Sequence, residues 1–176
     1  MADAITGTDA IADDAVASAG IPESSDASTA VAARRSVMAV LAEARLEEIE
    51  QGLSAIAAGS VGYVEVRAPE TGLVLLRGRI GGDGAAFNFG EATVTRAAVQ
   101  LASGEVGFAY VLGRDHGKAR LSAVCDALWQ SGHHRAALER EVLAPIRTRL
   151  AAERAQQRAQ TAATRVDFFT LVRGED

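Results

Sequence analysis

The chain predicts an α+β domain in which a four-stranded antiparallel meander lies between N-terminal and C-terminal helices. Three observations carry this. Apolar residues recur at helical spacing over residues 34–57 and again after Asp115. Between these stretches the period changes to two. The links between the period-two runs are short, which favours antiparallel neighbours because parallel strands need long crossovers.

The elements follow in order. Residues 1–33 are rich in Ala, Ser, Asp and Thr and contain no aromatic residue. Such a stretch buries too little apolar surface to offset its ordering entropy, so it is expected to be a disordered acidic tail, with a weak helix over 29–35 leading into a single domain over 34–176. Val37, Val40, Leu41 and Ala44 then fall at i, i+3, i+4 and i+7. Leu46, Ile49, Leu53 and Ile56 continue in a shifted phase, which predicts two helices or a bend near Arg45. Gly59 is placed to stop the second.

Strands are expected over 63–67, 73–80, 93–101 and 106–112. Pro69-Glu70-Thr71-Gly72, Gly81-Gly82-Asp83-Gly84 and Ser103-Gly104 read as the turns between them. Val74, Leu76 and Ile80 fall on one strand face, with Leu75, Arg77 and Arg79 on the other. Phe87 and Phe89 suit a short extra edge strand. Asp115 suits the N-cap of a helix whose apolar stripe is Leu121, Val124, Cys125 and Leu128, with Trp129 beside it. Ser131-Gly132 ends that helix. A last helix is expected over 135–162, kinked or restarted at Pro145. An apolar segment, Val166, Phe168, Phe169, Leu171 and Val172, follows at the end of the chain, where composition is usually polar.

Bulk properties exclude several classes. The chain has 176 residues and a formal net charge of -5. Residues 1–33 carry -6 of this and the remainder about +1. A nearly neutral body argues against nucleic-acid binding, which needs a basic field. No apolar run approaches a membrane span, and the N-terminus has neither a basic start nor an apolar signal core. The one cysteine, Cys125, can form no intrachain disulfide, and a lone thiol suits a reducing cytoplasm.

No catalytic constellation emerges. Gly81-Gly82-Asp83-Gly84 lacks the Lys-Ser/Thr ending of a phosphate loop and has no helix after it, so a hairpin turn is the better reading. His133-His134 invites a metal, yet adjacent helical side chains diverge and no Cys/His partner lies at ligand spacing; a solvated helix start is expected. Cys125 reads as a small buried hydrophobe, and Asp126 as a solvated helix carboxylate. Arg77, Arg79, Arg96 and Arg114 lie in or beside strands, and their planar forks suit phosphate, phosphonate or carboxylate. Their ordinary alternative is pairing with local acids such as Glu65 and Glu91. Glu91, Thr93 and Thr95 equally suit a polar cross-strand ladder. The terminal Val166–Arg173 stretch, with Phe168, Phe169, Leu171 and Val172, packs either on the first helix or on a partner, since an extended segment can join a neighbour's sheet.

Five stretches also carry a family likeness. They are Arg34-Arg35-Ser36-Val37-Met38-Ala39-Val40-Leu41-Ala42, Glu70-Thr71-Gly72-Leu73-Val74, Gly90-Glu91-Ala92-Thr93-Val94-Thr95-Arg96-Ala97, Gly113-Arg114-Asp115 and Thr164-Arg165-Val166-Asp167-Phe168-Phe169-Thr170-Leu171-Val172-Arg173-Gly174-Glu175. In this order they resemble the G-subunit family of the bacterial carbon–phosphorus lyase core complex, from about Arg34 to Gly174. Val37 departs from the family, whose members often carry Trp there. The resemblance implies a non-catalytic but required subunit of phosphonate catabolism, with no activity of its own. Its implied partners are the H, I and J subunits, and functionally the L subunit. G, H, I and L together transfer the ribose triphosphate of MgATP to a phosphonate with release of adenine. J cleaves the carbon–phosphorus bond using an iron–sulfur cluster, for which this chain has too few cysteines. MgATP and phosphonate are thus substrates of the complex, and no cofactor is expected on this chain. The resemblance also tips the terminal segment towards a partner. The competing reading is a stand-alone nucleotide- or phosphonate-binding protein that uses the strand arginines.

Overall fold

A computed structural model describes residues 24–56, 61–79 and 84–164. Two helices lead, α1 (Ser24–Glu43) and α2 (Leu46–Ala55), followed by the strands β1 (Tyr63–Gly78), β2 (Phe87–Leu101) and β3 (Val106–Leu112). Helix α3 (His116–Gln130) follows, then a short α4 (Arg135–Leu138), a π-helical turn (Glu139–Leu143) and α5 (Ala144–Ala163). The class is α+β, as the two periods require. The sheet, however, has three strands in the order β1-β2-β3, all antiparallel, where four were expected.

The correction lies at Pro69-Glu70-Thr71-Gly72. These residues do not turn the chain; they run inside one 16-residue strand, β1. Its register slips against β2 between Glu65 and Arg67 and again between Arg67 and Glu70, so β1 carries extra residues there. Proline cannot donate to a ladder and is tolerated on edge strands and at bulges. Pro69 meets both conditions, because β1 is an edge of the sheet. Phe87 and Phe89 likewise form no separate strand. They open the 15-residue β2, whose partners for them lie at the far end of β1. The link between β1 and β2 joins paired antiparallel strands, as a hairpin does, although residues 80–83 fall outside the described part.

The phase shift near Arg45 is a true break. Arg45 leaves helical geometry as the N-cap of α2, and its N–H donates to Glu48 Oε2 at 2.8 Å. α1 begins at Ser24, ten residues before the expected domain start, and its first turns are exposed where described. Asp115 caps α3 by accepting from the Lys118 N–H at 2.8 Å. Pro145 restarts the last helix, as expected, with the π-helical turn immediately before it. Gly59, residues 1–23 and residues 165–176 lie outside the described part.

All helices of the core lie on one face of the sheet. Val37, Leu41, Ile49, Leu128, Leu138, Val142, Leu143 and Ile146 are fully buried with Val99 and Val111 of the strands. Val37 fills its place beside them at 1% exposure, so valine suffices in this core. Cys125 is fully buried among them, and desolvation pushes its thiol pKa up, consistent with a packing role. α3 comes closest to the sheet at Gly107, where a Cβ would run into the Ala123 carbonyl and the Ala127 backbone.

Candidate functional site

Strand alternation puts Val94, Arg96 and Ala98 of β2 on the same face as Phe108, Tyr110 and Leu112 of β3. The helices cover the opposite face, which carries Thr95, Ala97, Val99, Ala109 and Val111. Phe108, Tyr110 and Leu112 therefore stand in the open, Leu112 at 75% exposure. The β1–β2 ribbon also runs beyond the helices, so there both of its faces are uncovered. Leu73 and Leu75 on one face and Val74 and Leu76 on the other are exposed. Phe87 and Phe89 pack edge to face on this ribbon, with ring centres 6.3 Å apart. Clustered exposed apolar side chains of this kind mark contact sites on folded domains.

The two sheet edges differ. The outer edge of β3 is closed by side chains of α3: Asp126 Oδ2 accepts from the Phe108 N–H at 2.9 Å, and Gln130 Nε2 donates to the Val106 carbonyl at 2.8 Å. Among the described residues no side chain caps the outer edge of β1 in this way. An uncapped strand edge offers backbone donors and acceptors to another chain.

A polar knot interrupts the apolar face. Glu70 Oε1 accepts from Arg67 Nη1 at 2.5 Å and from Arg96 Nε at 2.7 Å. The hydrogen bond from Arg67, then that from Arg96, holds the Glu70 carboxyl below the usual carboxylate range. The bond to Glu70, followed by one to the Tyr110 hydroxyl, raises Arg96. Glu70, Thr71, Val74, Val94, Arg96 and Tyr110 line a shallow cleft of about 220 Å³. On the other face of the same strands, Thr71 Oγ1 lies 3.1 Å from Thr95 Oγ1 and 3.0 Å from His116 Nε2. Thr95 Oγ1 donates to the Gly113 carbonyl at 2.8 Å. The expected Glu91, Thr93 and Thr95 ladder does not form: Glu91 and Thr93 stand opposite Leu75 and Leu73, and only Thr95 bonds across, to Thr71.

The four candidate anion-binding arginines are spread out. Arg96 is tied to Glu70, not to Glu65 or Glu91; Glu65 pairs with Arg120 at 2.5 Å. Arg77 lies near the far end of the ribbon, opposite Asn88. Asn88 and Arg96 lie eight positions apart on β2, about 26 Å of strand, too far for one triphosphate to bridge both arginines. Arg79 follows β1, and Arg114 sits exposed in the turn after Gly113. Among the described residues Arg77, Arg79 and Arg114 make no ion pair. The terminal segment Val166, Phe168, Phe169, Leu171, Val172 and Arg173 lies outside the described residues.

One expectation about a single residue needs correction. Asp126 is not solvated: it is fully buried and accepts from Arg34 Nε at 2.7 Å and Arg34 Nη2 at 2.5 Å. His133 and His134 do stand at a helix start, as expected, with His133 exposed and His134 at the N-cap position of α4. They precede α4, and their rings meet edge to face with centres 4.8 Å apart. Among the described residues no cluster of His, Cys, Asp or Glu is arranged to hold a metal, and no helix is long and apolar enough to cross a membrane. Sequence reasoning missed Glu70, Thr71 and His116. Their signal was present in Glu70-Thr71-Gly72 and in His116 directly after Asp115, but the first was absorbed into a turn.

A helix-backed meander whose described residues leave an apolar face and the β1 edge open defines a domain equipped for contact with other chains. Residues 32–174 match the family described as "Phosphonate metabolism protein PhnG". The chain is 52% identical over 146 residues to the alpha-D-ribose 1-methylphosphonate 5-triphosphate synthase subunit PhnG of Rhizobium meliloti (strain 1021), covering 83% of this chain and 92% of that protein. The chain belongs to the PhnG family.

Proposed function

We propose that this chain is a required, non-catalytic subunit of an α-D-ribose 1-methylphosphonate 5-triphosphate synthase in the carbon–phosphorus lyase pathway. Its 52% identical relative is named as a subunit of that synthase. The observation that carries a contact role is the sheet surface that the helices leave bare: Leu73, Phe89, Phe108, Tyr110 and Leu112 are exposed. Its partners in this reading are the H, I and J subunits of the core complex and, functionally, the L subunit. MgATP and a phosphonate are substrates of the assembly, in the cytoplasm, and this chain holds no cofactor.

The open face, both faces of the ribbon beyond the helices and the β1 edge form one contact region, and the terminal segment from Val166 to Arg173 forms another. Arg77, Arg79 and Arg114 are available to meet anionic groups of the substrates or partners, whereas Arg96 acts mainly as the partner of Glu70. Adenine release from MgATP and methylphosphonate, measured with and without this chain in the presence of the other subunits, tests the reading. The expected result is release only when the chain is present. Equal release in its absence would remove the required role.

A further inference from the structure

The bonds around Thr71 determine which nitrogen of His116 carries a proton. Each threonine hydroxyl has one hydrogen to donate. Thr95 gives its hydrogen to the Gly113 carbonyl, which can only accept. In the Thr71–Thr95 contact the donor is therefore Thr71. With its hydrogen spent, Thr71 can only accept from His116, so Nε2 of the imidazole bears the proton. In the neutral ring Nδ1 is then left with a bare lone pair.

Four parts of the fold converge on this arrangement. Thr71 comes from β1, Thr95 from β2, Gly113 from the turn after β3, and His116 opens α3. Gly113 adopts φ +94°, a left-handed conformation that suits glycine, and its N–H bonds the Thr93 carbonyl at 2.9 Å. Thr95 is fully buried, so its hydroxyl has no water to compete for it. His116, by contrast, is exposed. The result is an anchored imidazole at the surface with a preset acceptor, two residues from the exposed Arg114, which makes no ion pair among the described residues.

We propose that His116 Nδ1 accepts a hydrogen bond from a sugar hydroxyl of a phosphorylated ligand, that Arg114 meets the ligand's anionic group, and that Thr71 and Thr95 are positioning residues that hold the imidazole in this tautomer. An acceptor paired with a guanidinium suits a sugar phosphate because it matches both a hydroxyl and a phosphate oxygen. The proposal rests on the synthase reading, in which the ligand is the ribose triphosphate part of MgATP.

The test uses the full chain in complex with its partners, labelled with ¹⁵N-histidine, and MgATP as the probe. The His116 resonance should show the proton on Nε2, and saturating MgATP should shift its Nδ1 signal. Thr71→Val should give a mixture of tautomers, and Thr71→Ser should restore the single form. His116→Gln should raise the MgATP Kd about tenfold, the order expected for one lost hydrogen bond. A proton on Nδ1 in the unmodified complex overturns the proposal. So does a His116 signal indifferent to MgATP, a readout that needs no variant to fold. A complex that binds MgATP and releases adenine while His116 stays silent sinks this proposal alone. A complex without adenine release counts against the synthase reading, and the tautomer measurement still judges the threonine relay.

Discussion

Asp126 ties three elements together. Its carboxylate is fully buried on α3, accepts two bonds from Arg34 of α1, and takes the free N–H of Phe108 on β3. The bond to Asp126 raises Arg34 in turn. Removing the arginine leaves a buried charge without its counterion, which costs far more than losing a surface pair. Arg34→Ala should therefore lower stability by about 3 kcal/mol, read from the urea midpoint at unchanged slope; a shift equivalent to under about 0.5 kcal/mol would contradict the assigned role. None of this was legible in the sequence. Asp126 beside an apolar stripe reads as a solvated carboxylate until Arg34, 92 residues away, is brought to it. Cys125 was legible, because its neighbours alone make it apolar.

Glu48 gives a second residue-scale prediction. Arg149 of α5 grips it through Nε at 2.5 Å and Nη2 at 2.9 Å, and also donates to the Glu43 carbonyl at the end of α1. The bond from Arg149 is the largest cause holding the Glu48 carboxyl below its usual range. A depressed carboxylate contributes stability above its unfolded pKa of about 4.3 and loses it as pH falls through the lower folded value. Glu48→Gln should thus destabilise the protein near neutrality, with the difference shrinking as pH drops below about 4. Thermal melts of both proteins from neutral to acid pH check this; a gap that widens in acid would refute it.

At the scale of elements, periodicity and packing contributed different things. The break between α1 and α2 was legible because an apolar stripe cannot keep one face across a phase change. The restart at Pro145 was legible from proline's missing donor. The merging of two expected strands into β1 was not, because Pro69-Glu70-Thr71-Gly72 has turn composition. Only the bulged register against β2, on an edge strand, shows how that composition is accommodated. The close approach of α3 to β3 was equally hidden, since it depends on Gly107 facing Ala123 and Ala127. Gly107→Ala should cost about 1–3 kcal/mol through overpacking. Gly90→Ala is the control, because a Cβ there meets nothing within 4 Å. Denaturation of the two variants should separate them clearly. Equal stability would mean that α3 does not press on the strand as described.

For the whole molecule, the division is between what closes and what stays open. Helices cover one sheet face, and α3 side chains close the β3 edge; among the described residues nothing covers the other face, the ribbon or the β1 edge in this way. Alternation predicted the two faces but not which would remain bare, since Leu73 to Leu76 are apolar on both sides of β1. The ribbon simply outreaches the helices. Membership of the PhnG family was legible from five short stretches in order, and a family match over residues 32–174 shows it.

Leu73 and Leu112 are 64% and 75% exposed, so charging them should disturb the chain's own fold little, within about 0.5 kcal/mol each. The same change in a desolvated contact buries unpaired charge. The decisive measurement is co-purification of Leu73→Glu/Leu112→Glu with the other synthase subunits, alongside its circular dichroism. The open sheet as contact surface predicts a native spectrum and loss of the complex. A double variant that folds and assembles like the unmodified chain would contradict it.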